Sequence, residues 1–336
     1  MIGGSGRSSR SYDETDVRVR PGRGSRPRSK IRPAHDDAAA GIVVAVDRGR
    51  YTCLLIDDET TVTAMRAREM GRKSVVVGDR VGLVGDVSGQ ADTLARIVRL
   101  DPRTTVLRRT ADDDDPVERV IVANADQLVI VTSVAEPEPR PRLVDRCLVA
   151  AYDSRLEPLL CVTKADLADP AGLLTTYAPL GVATVVTEPG ADLTELADRL
   201  RDRWSVLVGH SGVGKSTLVN ALVPGADRSI GRVNVVTGRG RHTSTSVVAL
   251  PVPDGGWVID TPGIRSFGLA HVDPRHLVHA FSDLDQETAN CPRGCTHAAG
   301  EPECALDVAI EEGRIDQARV DSFRRLLASR ERQPGD

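Results

Sequence analysis

The string Gly209-His210-Ser211-Gly212-Val213-Gly214-Lys215-Ser216 fits the pattern G-x-x-x-x-G-K-[ST]. An apolar, strand-like run precedes it at 205–208, and a helical run follows from Thr217. Glycines in this setting let successive backbone N–H groups wrap phosphate oxygens at a helix N-terminus, while the lysine reaches the β- and γ-phosphates. We predict a site for a nucleoside triphosphate formed by Gly209, Ser211, Gly212, Val213, Gly214, Lys215, Ser216 and Thr217.

A second string, Asp260-Thr261-Pro262-Gly263, follows another apolar run. P-loop proteins place a carboxylate at such a strand end, where it holds magnesium through the ion's water shell. Asp260 is the candidate for this role, Gly263 for sensing the γ-phosphate, and the Ser216 hydroxyl for binding magnesium directly. Alone, the string could be a simple turn. Beside a P-loop that alternative is weak.

The base is indicated by Thr163-Lys164-Ala165-Asp166-Leu167, which ends a buried strand. A carboxylate there can accept hydrogen bonds from N1–H and the exocyclic amine of guanine, a donor pair that adenine lacks. Lys164 and Asp166 therefore favour GTP and argue against a P-loop ATPase, although a T-K-x-D string is weak by itself. Because this string precedes the phosphate loop in the chain, the motif order is circularly permuted.

A cluster near the C-terminus, Cys291, Cys295, His297 and Cys304, offers three thiolates and an imidazole within fourteen residues. That donor set fills a tetrahedral zinc site with no open position, which is typical of structural zinc. The other cysteines are scattered through apolar runs, so the contrast favours a metal over disulfides. The alternative is a set of incidental free thiols.

Composition limits the class of protein. At 336 residues with 40% hydrophobic residues, the chain has room for two or three globular domains. It has neither the roughly 18-residue apolar stretch of a membrane span nor the apolar core of a signal peptide, so we expect a cytoplasmic protein without a membrane partner. The net charge of -4 gives no case for nucleic acid from the whole chain. Residues 1–38, however, carry nine Lys/Arg against five Asp/Glu.

We interpret 1–39 as a disordered basic tail, with an arm that binds phosphates as the alternative. Short alternating runs at 41–46, 51–56, 74–77 and 80–84, separated by turn residues, predict a small all-β barrel of the OB type over 40–108. The acidic run 112–116 reads as a linker.

Beyond that run, apolar strands alternate with amphipathic helices, which predicts a doubly wound parallel sheet in an α/β domain over 117–270. Strands are predicted at 127–133, 158–163, 182–187, 205–208 and 256–259, and helices at 142–153, at 192–204 and after Lys215. A helical zinc-binding domain is predicted at 271–336. The chain is thus expected to be multidomain.

Together these motifs resemble the bacterial ribosome small-subunit-dependent GTPases of the RsgA type, which are circularly permuted. The resemblance implies an OB domain, a permuted P-loop GTPase domain and a zinc domain that act in late maturation of the small ribosomal subunit. GTP, GDP, Mg²⁺ and one Zn²⁺ are implied as ligands, and the subunit and its rRNA as partners; we expect a monomer. The matching stretches are Ala123-Asn124-Ala125-Asp126-Gln127, 163–167, 209–220, Gly238-Arg239-Gly240-Arg241-His242-Thr243, 260–267 and the cysteine cluster.

The chain departs from the family pattern at two base-side positions. The guanine motif usually begins with Asn where this chain has Thr163, so a hydroxyl replaces one bracing contact to the phosphate loop. The second base motif usually reads Ser-Ala, whereas Val186-Thr187-Glu188-Pro189 keeps only the hydroxyl residue, Thr187.

The position at which many GTPases carry a water-orienting glutamine is Ile264 here, which can neither donate nor accept. The candidate replacement is His242, which the resemblance places in switch I; the alternative is a solvent-exposed loop histidine. Thr243 is the candidate switch hydroxyl that closes on magnesium, with Thr245 as the alternative.

Arg239 and Arg241 are candidates for charge-stabilising fingers or for contacts with RNA phosphates, in a glycine-flanked loop that a partner would order. We therefore expect the small subunit to accelerate hydrolysis. Because the permutation joins 260–263 directly to the zinc domain, nucleotide state would change the angle between two candidate RNA-binding domains. The alternative function is a regulatory GTPase that acts on a protein partner without RNA.

Overall fold

The computed structural model describes residues 35–71, 74–110, 118–225, 247–261, 269, 272 and 274–329 of the chain. Several sequence predictions concern residues outside this part: most of the tail at 1–39, together with Arg239, Arg241, His242, Thr243, Thr245, Gly263 and Ile264. Among the described helices, none is long and apolar enough to cross a membrane.

Five strands close into a barrel at the start of the described chain. They pair in the order β1-β2-β3-β5-β4, and β4 returns to β1, where Ala39 lies opposite Leu83. Val43, Cys53 and Ile97 are fully buried inside it. The predicted OB-type barrel is confirmed. The strands are β1 (Ala39–Asp47), β2 (Arg50–Leu55), β3 (Thr61–Arg66), β4 (Arg80–Gly85) and β5 (Ala95–Leu100).

The prediction of a strand at 74–77 is wrong. These residues form a loop before β4, with one isolated bridge from Val77 to Val122. The loop is held locally, because the Val76 N–H donates to the buried Asp79 carboxylate over 2.8 Å and Arg103 binds both oxygens of that carboxylate. The valines are buried by this packing and not by a β-ladder.

A two-stranded hairpin links the barrel to the rest of the chain. Its strands, β6 (Val106–Thr110) and β7 (Glu118–Ala123), pair antiparallel, with Thr110 opposite Glu118. The acidic run at 112–116, predicted as a linker, lies outside the described residues.

The α/β part contains the predicted sheet, in the order β10-β9-β8-β11-β13-β12. Neighbouring strands are parallel except β12, which runs antiparallel to β13 and was not predicted. The predicted helix at 192–204 ends at Leu200, because Trp204 begins a strand and pairs with Trp257. The strands are β8 (Gln127–Ser133), β9 (Glu157–Thr163), β10 (Ala183–Val186), β11 (Trp204–Val208), β12 (Val248–Pro251) and β13 (Trp257–Asp260).

Alternate residues of the parallel strands pack on opposite faces of this sheet. Val129 and Val131 join the core beneath α3 and α4, whereas Leu128 and Ile130 join the core beneath α1. These helices, with α2 between α1 and α3 in the chain, complete the doubly wound fold. They are α1 (Pro141–Asp153), α2 (Ala171–Tyr177), α3 (Thr194–Leu200) and α4 (Lys215–Leu222).

The C-terminal helices pack on the α1 face and share its hydrophobic core. Phe281 and Phe323 are buried with Leu148 of α1, and Cys295 and Cys304 border the same cluster. The predicted zinc-binding segment therefore shares one hydrophobic core with the α/β part. These helices are α5 (Pro274–Val278), α6 (Ser282–Thr288), α7 (Ala305–Glu311) and α8 (Gln317–Ser329).

Candidate nucleotide site and metal centre

The phosphate loop turns between β11 and α4 with left-handed backbone at three glycines. Gly209, Gly212 and Gly214 have φ of 152°, 84° and 94°. A Cβ on Gly209 would lie 2.2 Å from the Val131 carbonyl oxygen of β8, so only glycine fits there. Val213 is buried and anchors the loop, whereas Ser211, Ser216 and Thr217 are exposed.

Lys215, the first residue of α4, interacts electrostatically with Asp260, the last residue of β13. Burial lowers the pKa of the Lys215 ammonium, and Asp260 partly offsets this. Burial likewise raises the pKa of Asp260, and Lys215 partly offsets it. The ammonium donates to the carbonyls of Gly209 and His210, the latter over 3.0 Å. The buried Thr261 hydroxyl donates to the Leu207 carbonyl over 2.7 Å and fixes the end of β13.

Thr163 joins the base-side string to the phosphate loop. Its buried hydroxyl donates to the Val213 carbonyl over 2.7 Å, and the Thr132 carbonyl of β8 lies 3.2 Å from the same oxygen. The Thr163 hydroxyl therefore makes the bracing contact to the phosphate loop that was expected from an asparagine at this position of the family motif. Parallel pairing of β8, β9 and β11 brings these groups to one edge of the sheet.

The two base-side strings are backbone neighbours. The Ala165 N–H donates to the Thr187 carbonyl over 3.3 Å, and the Thr187 N–H donates to the Val162 carbonyl over 2.8 Å. Lys164 is left-handed at φ 59°, which turns the chain sharply after β9. The Asp166 side chain is exposed beyond this turn, whereas Thr187 is buried. The edge thus presents the exposed Asp166 carboxylate.

Sequence reasoning missed the segment 134–140, here called the β8–α1 loop. Lys164 donates through Nζ to the Glu136 carbonyl, and the Pro137 ring lies 3.5 Å from the position of a Cβ built on Gly212. The Ser133 hydroxyl holds the loop by donating to the Pro137 carbonyl over 2.7 Å. The prolines at 137, 139 and 141, directly after a buried strand, were the available signal.

The string 123–127 proves to be a joint between the barrel and the α/β part. The Asn124 amide donates to the Gly78 carbonyl over 2.8 Å, and its oxygen accepts from the Thr104 N–H over 2.8 Å. A Cβ on Gly78 would lie 1.9 Å from the Ala123 carbonyl oxygen, so the two segments touch through backbone. Asp126 accepts from the Trp204 N–H over 2.7 Å and secures the start of β11.

The four predicted metal ligands converge in space. Their donor atoms all lie within 4.8 Å of one another, and His297 Nδ1 is 3.5 Å from Cys291 Sγ and 3.4 Å from Cys295 Sγ. Zinc bonds of about 2.3 Å to sulfur and about 2.0 Å to nitrogen in a tetrahedron give a separation of roughly 3.5 Å between such ligands. The donor set and spacing therefore fit zinc.

The surroundings of this cluster also suit a cation. Burial raises the pKa of Cys295 to about 12 and raises the pKa of Cys291, while burial lowers the pKa of His297. A bound divalent cation would offset these costs by holding the thiols as thiolates. The N–H groups of His297 and Ala305 point at Cys295 and Cys291 sulfurs over 3.4 and 3.3 Å, as expected around thiolate ligands.

The sequence is similar to one family of known proteins, the RsgA GTPases. The model of the RsgA GTPase family matches residues 100–270. The "Small ribosomal subunit biogenesis GTPase RsgA" of Chlorobaculum parvum is 39% identical over 88% of this chain and 99% of its own length. RsgA 1 of Vibrio vulnificus is 37% identical over 81% and 79%. YjeQ from Thermotoga maritima superposes with a TM-score of 0.66, covering 87% of this chain and 98% of its own at 27% identity.

Proposed function

The chain belongs to the RsgA GTPase family, and from this premise we propose how its own residues bind GTP, hydrolyse it and connect hydrolysis to the small ribosomal subunit. The protein is a GTPase that assists biogenesis of that subunit. We propose which residues carry out this activity and how the small ribosomal subunit controls them. The observation that carries this proposal is the Thr163 contact, which joins a base-reading string to a phosphate loop.

Guanine recognition rests on Asp166. Its exposed carboxylate follows the left-handed turn at Lys164 and can accept both donors of the guanine edge, while Thr187 fixes the neighbouring backbone. An adenine would present an acceptor at N1 against this carboxylate. The electrostatics of the edge therefore select guanine over adenine.

The phosphates are held by the backbone N–H groups of 209–216 and by Lys215 at the start of α4. Ser216 and Asp260 would hold Mg²⁺, Ser216 through its hydroxyl and Asp260 through water. When bound, the ion would supply positive charge that stabilises the β- and γ-phosphates. The interaction between Lys215 and Asp260 favours the charged form of each and partly offsets the effect of burial on both pKa values.

Hydrolysis requires a group that orients water, and Ile264 cannot do so. We assign this role to His242 and the switch hydroxyl to Thr243, both of which lie outside the described residues. Arg239 and Arg241 lie in the same stretch of sequence. In this proposal the small subunit acts on that stretch and accelerates turnover, after which GDP weakens the complex.

Cys291, Cys295, His297 and Cys304 would fill all four positions of a tetrahedral zinc site, so the role proposed for the metal is structural. Bound zinc would fix the turn that leads into α7 and thereby shape the C-terminal surface. The barrel and this surface are the candidate contacts for rRNA, and we expect the protein to act as a cytoplasmic monomer.

The partner assignment is tested by co-sedimentation with purified small subunits. We expect the protein to pellet with subunits in a non-hydrolysable GTP analogue, to be released in GDP, and to dissociate as salt is raised because phosphate contacts are screened. Equal pelleting in both nucleotides would contradict a GTP-controlled interaction with the subunit.

A further inference from the structure

Two successive arginines of α8 reach in different directions. Arg324 Nε donates to the His297 carbonyl over 3.1 Å, and its terminal nitrogens bind both oxygens of Asp307 over 2.7 and 2.9 Å. Arg325 Nε instead lies 3.1 and 3.3 Å from the two oxygens of Asp145 on α1. One turn of helix therefore connects the metal centre to the α/β domain.

The contact with α1 lies near the start of that helix and is partly buried. Only 4% of the Asp145 side chain is exposed. Beside it, the Tyr177 hydroxyl donates to the carbonyl of Pro141, the first residue of α1, over 2.9 Å. The Arg325 guanidinium lies 5.2 Å from the centre of the Tyr177 ring. A buried carboxylate, a cation and a ring thus fix the first turns of α1.

The β8–α1 loop, which contacts the nucleotide site, ends directly at Pro141. Its Val134 N–H donates to the Thr163 carbonyl over 3.1 Å, and its Glu136 carbonyl accepts from Lys164. Its Pro137 ring lies 3.5 Å from the position of a Cβ built on Gly212. A shift of the first turn of α1 would therefore move the β8–α1 loop. This loop adjoins both the base-reading string at 163–167 and the phosphate loop at 209–216.

We propose that Arg325 is a positioning residue for the guanine nucleotide, acting through Asp145 and the first turn of α1 on the β8–α1 loop. The inference rests on the proposed function only in assuming that the site binds GTP and GDP. A partner that binds the C-terminal helices acts on nucleotide affinity through the same contact. The coupling is reciprocal, so bound nucleotide also affects how those helices are held.

The test is the dissociation rate of mant-GDP from purified, zinc-loaded full-length protein without ribosomes. Arg325→Met should release mant-GDP about fivefold faster or more, within the range of coupling energies between sites. Arg325→Lys keeps a charge beside Asp145 and should recover part of the slow release. Arg314→Met is the control, because Arg314 pairs with Glu287 and Glu312 in the same region without touching α1.

A structural defect is separated from positioning by the double variant Asp145→Leu/Arg325→Met. It replaces the buried carboxylate and its partly exposed partner with apolar side chains, so that no buried charge is left unpaired. We expect native zinc content, native circular dichroism and fast mant-GDP release. General destabilisation would not leave the zinc content and the circular dichroism unchanged. A folded double variant with the wild-type release rate would overturn the proposal. Wild-type protein that binds no guanine nucleotide would instead contradict the proposed function.

Discussion

The hydroxyl of Thr163 donates to the carbonyl of Val213, so the end of the base-reading strand is tied to the middle of the phosphate loop. Thr163→Val keeps the shape of the side chain and leaves that buried carbonyl without its donor, which costs about 1–3 kcal/mol. We expect affinities for mant-GDP and mant-GTP to fall together by about tenfold.

The matched control is Thr163→Ser, which retains the hydroxyl and should bind near the wild-type level. Equilibrium titration of the three proteins measures the effect. Loss of GTP affinity with unchanged GDP affinity would show that the contact serves the γ-phosphate and not the shared edge of the site.

Asp166→Asn should move base preference from guanine to xanthine nucleotides, because an amide can pair with the carbonyl that replaces the exocyclic amine. We expect at least a tenfold loss of GTP affinity and a gain for XTP. Asp198→Asn is the control, since Asp198 pairs with Arg201 at the surface. Competition of mant-GTP by GTP, XTP and ATP measures the preference, and an unchanged GTP affinity would remove Asp166 from the base site.

The metal centre should contain one zinc per chain by elemental analysis. Cys304→Ser should lower the zinc content and the thermal stability, because the buried cluster would lose one of its four donors. Cys53→Ser, in the barrel core, is a thiol control that should keep full zinc. A wild-type zinc content far below one would refute the assignment.

Asn124 should stabilise the joint between the barrel and the α/β part. Asn124→Ala removes both the bond to Gly78 and the bond to Thr104 and places alanine at φ 53°. We expect a loss of about 1–3 kcal/mol in the free energy of unfolding by urea, with Gln90→Ala as an exposed control in a barrel loop. A loss below about 0.5 kcal/mol would mean that the joint depends on other contacts.

The sequence predicted elements whose pattern is local. Alternating runs predicted the barrel, and the continuous apolar strand at 127–133 predicted a central strand of the parallel sheet. The same reasoning misjudged 74–77, where valines are buried by a loop that Asp79 and Arg103 hold. Buried apolar residues do not by themselves distinguish a ladder from a packed turn.

Contacts between side chains that lie far apart in the sequence could not be predicted from local patterns. The pairing of Asp145 with Arg325 joins residues 180 positions apart, and nothing in either neighbourhood identifies the other. Similarly, the role of the β8–α1 loop depends on the register that places β8 beside β9 and β11. The metal cluster was accessible because its four ligands lie close in sequence and their chemistry is distinctive.

The decisive measurement is GTP hydrolysis by the full chain with and without purified small ribosomal subunits, at saturating GTP and low salt. We predict slow turnover by the protein alone and at least a tenfold higher kcat with small subunits. This increase should be abolished in His242→Ala. It should persist in the wild type when large subunits are also added as a control. A kcat that small subunits leave unchanged would contradict the claim that this GTPase is switched by the particle whose biogenesis it assists.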